Sequence, residues 1–229
     1  MKKALQITGF LILDIFLFVS LLFTVVQVIV YNDSYFEWHY ENHNIEETTE
    51  MSVEGLMNVT DKMMDYLIDK RDNLNMTETI NGELEEVFGD REKAHMADVK
   101  NLFLQGKQFR DLSAITLLMV VLYMLASRRK WLIQWLNQLK LFFITSFIVI
   151  GALGALFATD FNKYFTMFHE VFFDNDLWML DPRTDILINM VPEIFFFQTV
   201  MLIVIGFILS IVLILLLSRY TVKEFGKSV

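Results

Sequence analysis

Histidine side chains are the groups of this sequence best suited to proton transfer, and there are only 4 of them. His95 has Arg91 and Asp98 at helical spacing, because residues three and four apart are neighbours on one face of a helix. An imidazole between a cation and a carboxylate can serve as a general acid or base near neutral pH. The alternative is a surface histidine in a solvated cluster of charges, and the spacing alone fits both.

A second histidine lies in a short aromatic stretch. His169 is flanked by Phe168 and Phe172, so it could equally be a packed ring or a chemical group. The stretch leads to Asp181 followed by Pro182. This dipeptide predicts the start of a short helix, because proline is favoured at the first helical position.

The remaining histidines, His39 and His43, form an i,i+4 pair with Glu37 and Glu41 nearby. On a helix, such a pair can hold a metal ion. The same run is rich in aromatic residues, for which anchoring at a membrane interface is the commoner role. We therefore predict no metal site.

The chain contains no cysteine. Thiol nucleophiles, zinc–thiolate sites, iron–sulfur clusters and disulfides are thereby excluded. The sequence also lacks the Gly-x-Ser-x-Gly elbow that presents a serine nucleophile. A net charge of -9 argues against a nucleic-acid partner, which requires a basic footprint.

The composition is that of a membrane protein: 229 residues, 55% hydrophobic, with a mean hydropathy of +0.44. Four stretches approach the roughly 20 apolar residues that cross a bilayer, at about 5–31, 112–127, 140–159 and 194–218. The first is too long for a signal peptide and lacks small residues for cleavage, so we read it as an uncleaved anchor. We predict an all-α membrane protein, a four-helix bundle that forms a single membrane domain over 1–229.

Lysine and arginine in short loops set the orientation of membrane spans. The connection between spans two and three and the C-terminal tail are both basic, through Arg128, Arg129, Lys130, Lys140, Arg219, Lys223 and Lys227. By contrast, 32–110 contains 18 acidic and 8 basic residues. We therefore predict cytoplasmic termini and an extracytoplasmic α+β cap made of 32–111 and 160–193. His95 and His169 both adjoin this face, which predicts one shared site at the outer leaflet.

Local patterns predict the elements of the first outer segment. Apolar residues from Leu56 to Ile68 recur at three-to-four spacing, which predicts an amphipathic helix over about 50–70. Asn81-Gly82 is the strongest short signal for a β-hairpin. Asp90 is a fair N-cap for a helix over about 91–105 that Gly106 would stop.

Two features within the spans have packing explanations. Asp14 is ionisable and expensive in lipid, but it lies near the cytoplasmic start of span one. Snorkelling or a hydrogen bond to a neighbouring helix is enough to account for it. Gly154 and Ala158 in span three form a small-xxx-small pair, which lets a neighbouring helix approach closely.

Four segments of the chain resemble one bacterial membrane family, and they are Arg91–Lys100, Phe168–Phe173, Asp176–Pro182 and Asp185–Glu193. Together with the length and the four-span layout, they are similar to the lipoprotein intramolecular transacylases of low-GC Gram-positive bacteria. The likeness covers the whole chain, and its specificity rests on the two histidine motifs. Residues 35–88 contribute no motif to it.

The resemblance implies an acyltransferase of the bacterial cell membrane. Such an enzyme moves the sn-2 acyl chain of a diacylglyceryl lipoprotein to the α-amine of its N-terminal cysteine, which leaves a lyso-form lipoprotein. His95 and His169 are then the paired acid and base, in an order that stays open, and the transfer is direct, without an acyl-enzyme, metal or cofactor. The implied substrate-binding residues are Arg91, Asp98, Asp176, Trp178 and Asp185.

The resemblance also implies a separate role for each of the two charged residues near His95. Arg91 stabilises an oxyanion or pairs with a carboxylate, and Asp98 could orient His95 as the carboxylate of a catalytic triad does. The implied partners are diacylglyceryl-modified lipoproteins and membrane lipid, and we expect a monomer.

Two other classes stay open at the level of the sequence. One is a different outer-leaflet hydrolase, including a metal-assisted one whose activity would not survive a strong chelator. The other is a non-enzymatic envelope protein whose acidic outer region binds a partner or a cation. Its phenotype would not change when either histidine is replaced.

The predicted topology leads to a labelling experiment. A cysteine in place of Asn81 should react with an impermeant thiol reagent in intact cells, whereas one in place of Gln134 should not, because only the first is expected outside. The cysteine-free chain supplies the unlabelled control. The reverse pattern would place the proposed site on the cytoplasmic side.

Overall fold

The computed structural model describes residues 2–225, and Lys227, one of the basic residues behind the predicted orientation, lies outside them. The described chain is mostly helical, with one small sheet. In chain order, the elements are α1 (Lys2–Val30), α2 (Asp33–Asn42), α3 (Ile45–Thr49), α4 (Val53–Leu67), β1 (Thr77–Ile80), β2 (Glu83–Glu86), α5 (Asp90–Ser127), α6 (Arg129–Thr159), α7 (Phe161–Phe172), α8 (Ile186–Met190) and α9 (Glu193–Phe225).

Four of the helices, α1, α5, α6 and α9, are long and apolar enough to cross a membrane. Each is close to 30 residues or longer, and an α-helix rises about 1.5 Å per residue. They therefore exceed the roughly 30 Å of bilayer hydrocarbon. The prediction of a four-span helical membrane protein is confirmed.

The chain divides into two compact units, and the first contains the helical segments up to residue 27, over 107–155 and from 201 onward. Its core is apolar, with Leu139 and Phe207 almost completely buried. Within it, the indole nitrogen of Trp135 donates a hydrogen bond of 2.9 Å to the carboxylate of Asp14. This bond to a neighbouring helix is one of the two explanations that the sequence left open for the buried acid.

Close helix packing occurs in the same unit at Gly154. A Cβ atom added there would lie 3.1 Å from Cγ2 of Val204, which is tighter than ordinary contact. The glycine thus allows α6 and α9 to approach each other, as the small-xxx-small pattern indicated.

The second unit comprises 28–106 and 156–200 and carries both histidine motifs. Its core is built on α4, whose inner face buries Leu56, Val59 and Met63. The helix begins at Ser52, whose hydroxyl accepts a hydrogen bond of 3.1 Å from the backbone of Gly55 as an N-cap. The predicted amphipathic helix therefore forms and supplies the base on which the site is assembled.

The predicted hairpin is also present. Strands β1 and β2 pair antiparallel, with Ile80 opposite Glu83. The two residues between them, Asn81 and Gly82, have φ angles of 50° and 83°. A two-residue turn with positive φ at both positions matches the right-handed twist of the strands, which is why asparagine followed by glycine specifies it.

The predicted end of a helix at Gly106 is wrong. Helix α5 runs without interruption from Asp90 to Ser127. Glycine inside a helix costs only about 1 kcal/mol relative to alanine, and good helix formers such as Leu104 and Lys107 surround it. The segment with His95 is therefore continuous with a membrane-spanning helix.

The predicted helix start at Asp181-Pro182 is also wrong. These residues begin a turn in which the carbonyl oxygen of Asp181 accepts hydrogen bonds from the backbone of Thr184 and Asp185. Helix α8 starts only at Ile186. The Asp181 side chain binds the guanidinium and backbone nitrogen of Arg183, which stabilises the turn instead of a helix.

Candidate active site

The two histidine motifs meet in the second unit. Helix α5 supplies His95 and helix α7 supplies His169, and their ring centroids are 6.1 Å apart. Only 8% of His95 and 7% of His169 is exposed. Two imidazoles from distant parts of the sequence thus share one largely water-excluded place.

The proton of His169 is located by its backbone contact. Nδ1 of His169 lies 2.7 Å from the carbonyl oxygen of Phe165, one turn earlier on α7. A carbonyl oxygen can only accept, so Nδ1 carries the hydrogen and donates. In the neutral ring, Nε2 then bears the free lone pair, which is the atom that a general base requires.

Aromatic rings fix the orientation of this imidazole. The indole of Trp178 stacks on His169 with centroids 4.7 Å apart, and the ring of Phe165 lies 4.3 Å away. Burial is the main cause that lowers the pKa of His169 from its ordinary value, and the bond to Phe165 opposes it. The neutral form is therefore favoured near neutral pH.

His95 presents a different environment. Its Nδ1 is buried and has no hydrogen-bond partner among residues 2–225. Phe173 lies edge-on to the ring at 5.4 Å. Buried polar atoms in proteins are nearly always hydrogen-bonded, but both ring nitrogens of the packed His39 are also unpaired within the described range, so this feature alone does not distinguish His95 as a chemical group.

Arg91 and Asp98 hold the segment that follows α7. A terminal nitrogen of the Arg91 guanidinium donates to the backbone carbonyl of Asp176. The amide of Asn175 donates a hydrogen bond of 2.9 Å to the carboxylate of Asp98. Asn175 and Asp176, which shortly precede Trp178, are thus both bound to α5. In the structure, Asp98 contacts this segment and makes no hydrogen bond to His95.

Asp185 shapes the turn before α8. Its carboxylate accepts a hydrogen bond of 2.7 Å from the backbone of Asp181, four residues earlier. It occupies the N-cap position of α8 without a capping bond from its side chain. Asp185, one of the predicted substrate-binding residues, therefore stabilises the backbone of its own segment.

Sequence reasoning missed Glu92, which is only 1% exposed. One carboxylate oxygen accepts from the backbone of Gly89 at 2.6 Å, and the other accepts from the backbone of Leu187 at 2.7 Å. The first contact resembles a capping box, in which an acid at the third helical position binds back to the residue before the helix. That part was readable from the sequence, but the bond to α8 was not.

The pair His39 and His43 is packed elsewhere in the same unit. Their rings stack with centroids 4.4 Å apart, and His39 also meets Phe195 edge-on at 5.0 Å. Burial, followed by the charge of His43, lowers the pKa of His39 to about 4. Within the described range, no three His, Asp or Glu side chains are grouped closely enough to hold a metal ion.

Because Glu92 accepts hydrogen bonds from two backbone groups, we predict that replacing it strongly destabilises the protein. Replacing Glu92 with alanine removes the acceptor for two backbone N–H groups, each worth roughly 1–3 kcal/mol when left unsatisfied. The thermal midpoint of the purified protein should fall clearly. Replacing Glu85, which is exposed on the hairpin, should leave the midpoint unchanged. Equal midpoints for the two variants would contradict the importance of this bridge.

Comparisons with known proteins agree on one family. Residues 11–196 match the model of the family described as lipoprotein intramolecular transacylase Lit. Three solved structures of the integral membrane lipoprotein intramolecular transacylase Lit from Bacillus cereus are similar in fold at 22% identity. One covers 98% of this chain and 99% of its own, with a TM-score of 0.81.

The other two carry a histidine-to-arginine or a histidine-to-alanine substitution. Both have a TM-score of 0.78, covering 100% and 99% of this chain and 96% and 97% of their own. A search of curated proteins finds no match. The family model covers most of the sequence, and the chain therefore belongs to the lipoprotein intramolecular transacylase family.

Proposed function

We propose that this chain transfers the sn-2 acyl chain of a diacylglyceryl lipoprotein to the α-amine of the N-terminal cysteine of that lipoprotein. The product is an N-acylated lyso-form lipoprotein. The observation that carries the proposal is the pair of buried imidazoles, His95 and His169, 6.1 Å apart in a member of the transacylase family. Acyl transfer from an ester to an amine needs proton transfer at both ends of the reaction.

The atoms of this transfer balance without a cofactor. The amine nitrogen attacks the ester carbonyl carbon, a C–N bond forms, and the bond from that carbon to the glyceryl oxygen breaks. The proton that leaves the amine is the one that the glyceryl oxygen requires. Two imidazoles therefore need only relay a single proton, and neither has to be charged before the substrate binds.

The hydrogen bonds support an order for this relay. His169 has its Nδ1 hydrogen committed to the carbonyl of Phe165, which leaves Nε2 free to accept the proton of the amine. His95 is then the group that returns a proton to the leaving oxygen. Because donor and acceptor belong to one lipoprotein molecule, most of the remaining catalysis is positioning.

Several side chains fit supporting roles in substrate binding. Trp178 offers an aromatic surface beside His169, and Arg91 and Asp98 hold Asp176 and Asn175 next to it. Asp176 and Asp185 belong to the same segment, between α7 and α8. We assign them the role of shaping the side of the binding site that this segment forms. Arg91 also remains a candidate for stabilising the oxyanion.

The location of the reaction follows from the charge pattern. The Lys/Arg bias supports cytoplasmic termini, an extracytoplasmic cap and a site that faces the outer leaflet of a bacterial cell membrane. Both histidines come from one chain, which supports a monomer. The expected partners are lipoproteins and membrane lipid.

Mass spectrometry of lipoprotein N-termini tests the proposed reaction. Lipoproteins from cells that express this chain should carry an acyl group on the α-amine and lack the one at the sn-2 position, with the total of two acyl chains unchanged. Cells without it should retain the diacylglyceryl form with a free amine. Unchanged N-termini in cells with well-expressed protein would exclude the transacylase, and survival of the activity in strong chelator would exclude a metal-assisted hydrolase.

The histidine pair predicts a specific pattern of losses. Replacing His95 or His169 with alanine should each reduce transfer by roughly 10²-fold or more, the scale for losing a general acid or base. His39→Ala is the matched control and should do far less when corrected for protein yield. Equal losses in all three variants at equal yield would mean that the chemical histidines are misassigned.

Cooperation between the two rings can be measured in the double variant. If both act on one reacting centre, removing the second should cost no more than about tenfold beyond the worse single variant. Multiplicative losses would indicate independent roles. His169→Gln is sharper still, because glutamine keeps hydrogen bonding but cannot exchange a proton, and near-normal transfer would make His169 a structural residue.

The pKa of His169 predicts the pH dependence. The base must be neutral, and burial lowers the pKa of His169 below its ordinary 6.5. Protonation of His169 should therefore reduce the rate constant for transfer only below a pH of about 6.5, separately from the acid limb of the substrate α-amine, whose ordinary pKa is about 7.7–8.0. A limb that His169→Gln removes and that is centred above 6.5 would contradict the lowered pKa.

A further inference from the structure

Helix α7 exposes several large apolar side chains that the rest of the protein leaves uncovered. Residues four apart lie along one side of a helix, so its 12 residues form four lengthwise rows. The row of Phe161, Phe165 and His169 faces the protein, with its two end residues buried. The adjacent row of Asn162, Thr166 and Glu170 is polar.

The two remaining rows are apolar and exposed. Met167 and Val171 belong to one and are 47% and 75% exposed. Phe168 and Phe172 belong to the other, are 39% and 52% exposed, and have ring centroids 4.7 Å apart. Soluble surfaces rarely expose so many large apolar side chains together. This exposed face of α7 therefore requires an apolar partner.

The position of α7 in the chain identifies that partner. The membrane-spanning helix α6 ends at Thr159 and α7 begins at Phe161, so only Asp160 separates them. Two residues reach at most about 7 Å, which keeps the start of α7 close to the place where the chain leaves the hydrocarbon. Leu156 in the last turn of α6 is also an apolar residue that is 42% exposed.

Lipid fits this face better than a second copy of the chain. A specific interface buries about 800 Å² on each partner, more than four partly exposed side chains supply. The basic residue at the start of the face, Lys163, suits phospholipid headgroups, since its stem can follow the apolar surface while the ammonium reaches the phosphates. An amphipathic helix of this kind lies in the plane of the membrane interface.

We infer that α7 is an in-plane interfacial helix whose Met167, Phe168, Val171 and Phe172 contact the acyl chains just below the headgroups of a phospholipid bilayer. His169 lies on the neighbouring row of the same rigid helix. The contact with lipid therefore sets the depth of the imidazole relative to the membrane surface. This second statement rests on the proposed function, because that depth matters only if the reacting ester belongs to a membrane-inserted lipoprotein.

Single-cysteine labelling tests the contact directly, because the natural chain has no cysteine. Three variants each carry one cysteine, in place of Val171, of Glu170 on the polar row, or of Leu84, an apolar residue of the hairpin that is 73% exposed. An environment-sensitive fluorophore is attached to each cysteine. The proteins are placed in phospholipid nanodiscs that contain lipids with a nitroxide at a shallow or a deep acyl position. Iodide serves as the aqueous quencher.

The label at Val171 should emit at shorter wavelength, be quenched by the shallow nitroxide and lose its quenching by iodide. The labels at Glu170 and Leu84 should remain open to iodide. A Val171 label that behaves like the Leu84 label would overturn the inference. Energy transfer between Val171 labels on different molecules, without quenching by lipid, would assign the face to a second copy and overturn it as well.

A pair of charge variants tests the consequence for catalysis. Val171→Glu places a carboxylate in the lipid-facing row and should lose acyl transfer within a membrane-inserted lipoprotein, whereas Asn162→Glu on the polar row should retain it. Wild-type transfer by Val171→Glu would overturn the role of α7 in setting the depth of His169. The quenching result does not depend on activity, so failure of the proposed reaction would leave it intact and be recognised separately.

Discussion

His169 donates its Nδ1 hydrogen to the carbonyl oxygen of Phe165, and the chemistry of the site depends on this bond. It fixes the tautomer, and with it the ring atom that carries the free lone pair. Burial beside Trp178 and Phe165 keeps the ring neutral and prevents it from turning. If His169 is the general base, as proposed, it does not have to lose a proton to solvent before it can accept one from an amine.

The partner ring is held by the start of α5. Glu92 lies one turn before His95 and binds backbone groups on both sides, at Gly89 and at Leu187. A buried carboxylate is costly unless its oxygens are satisfied, and here both are. Arg91 and Asp98 extend the connection to the segment that carries Trp178. The acidic and basic neighbours of His95 thus hold the surrounding segments in place, Glu92 and Arg91 through backbone groups and Asp98 through the side chain of Asn175.

The family relationship gives this geometry its chemical meaning. An intramolecular transfer needs no site for a second substrate, because donor and acceptor arrive together. The protein can then be small and mostly helical. In the proposed scheme, helix α7 would have two functions, since one row of its side chains would carry the base and the neighbouring rows would contact the bilayer.

The sequence by itself determined what local spacing controls. The length of apolar runs predicted the four spans, three-to-four spacing predicted the inner face of α4, and Asn81-Gly82 predicted the hairpin, because each depends on residues close together in the chain. Local reasoning failed where competing contacts decided. Helix α5 continues through Gly106, and Asp181-Pro182 forms a turn because Arg183 and Thr184 bind Asp181.

Only the tertiary structure decided the arrangement of the site. The sequence indicated His95 and His169 as candidates, but their approach to 6.1 Å, the stacking of Trp178 and the bond from Glu92 to Leu187 all join distant segments. Nothing in the spacing of residues along the chain encodes such contacts, because they depend on how α5, α7 and α8 come together in the folded second unit. The sequence thus determined which groups can transfer a proton, and the packing determined that the imidazoles of His95 and His169 lie next to each other.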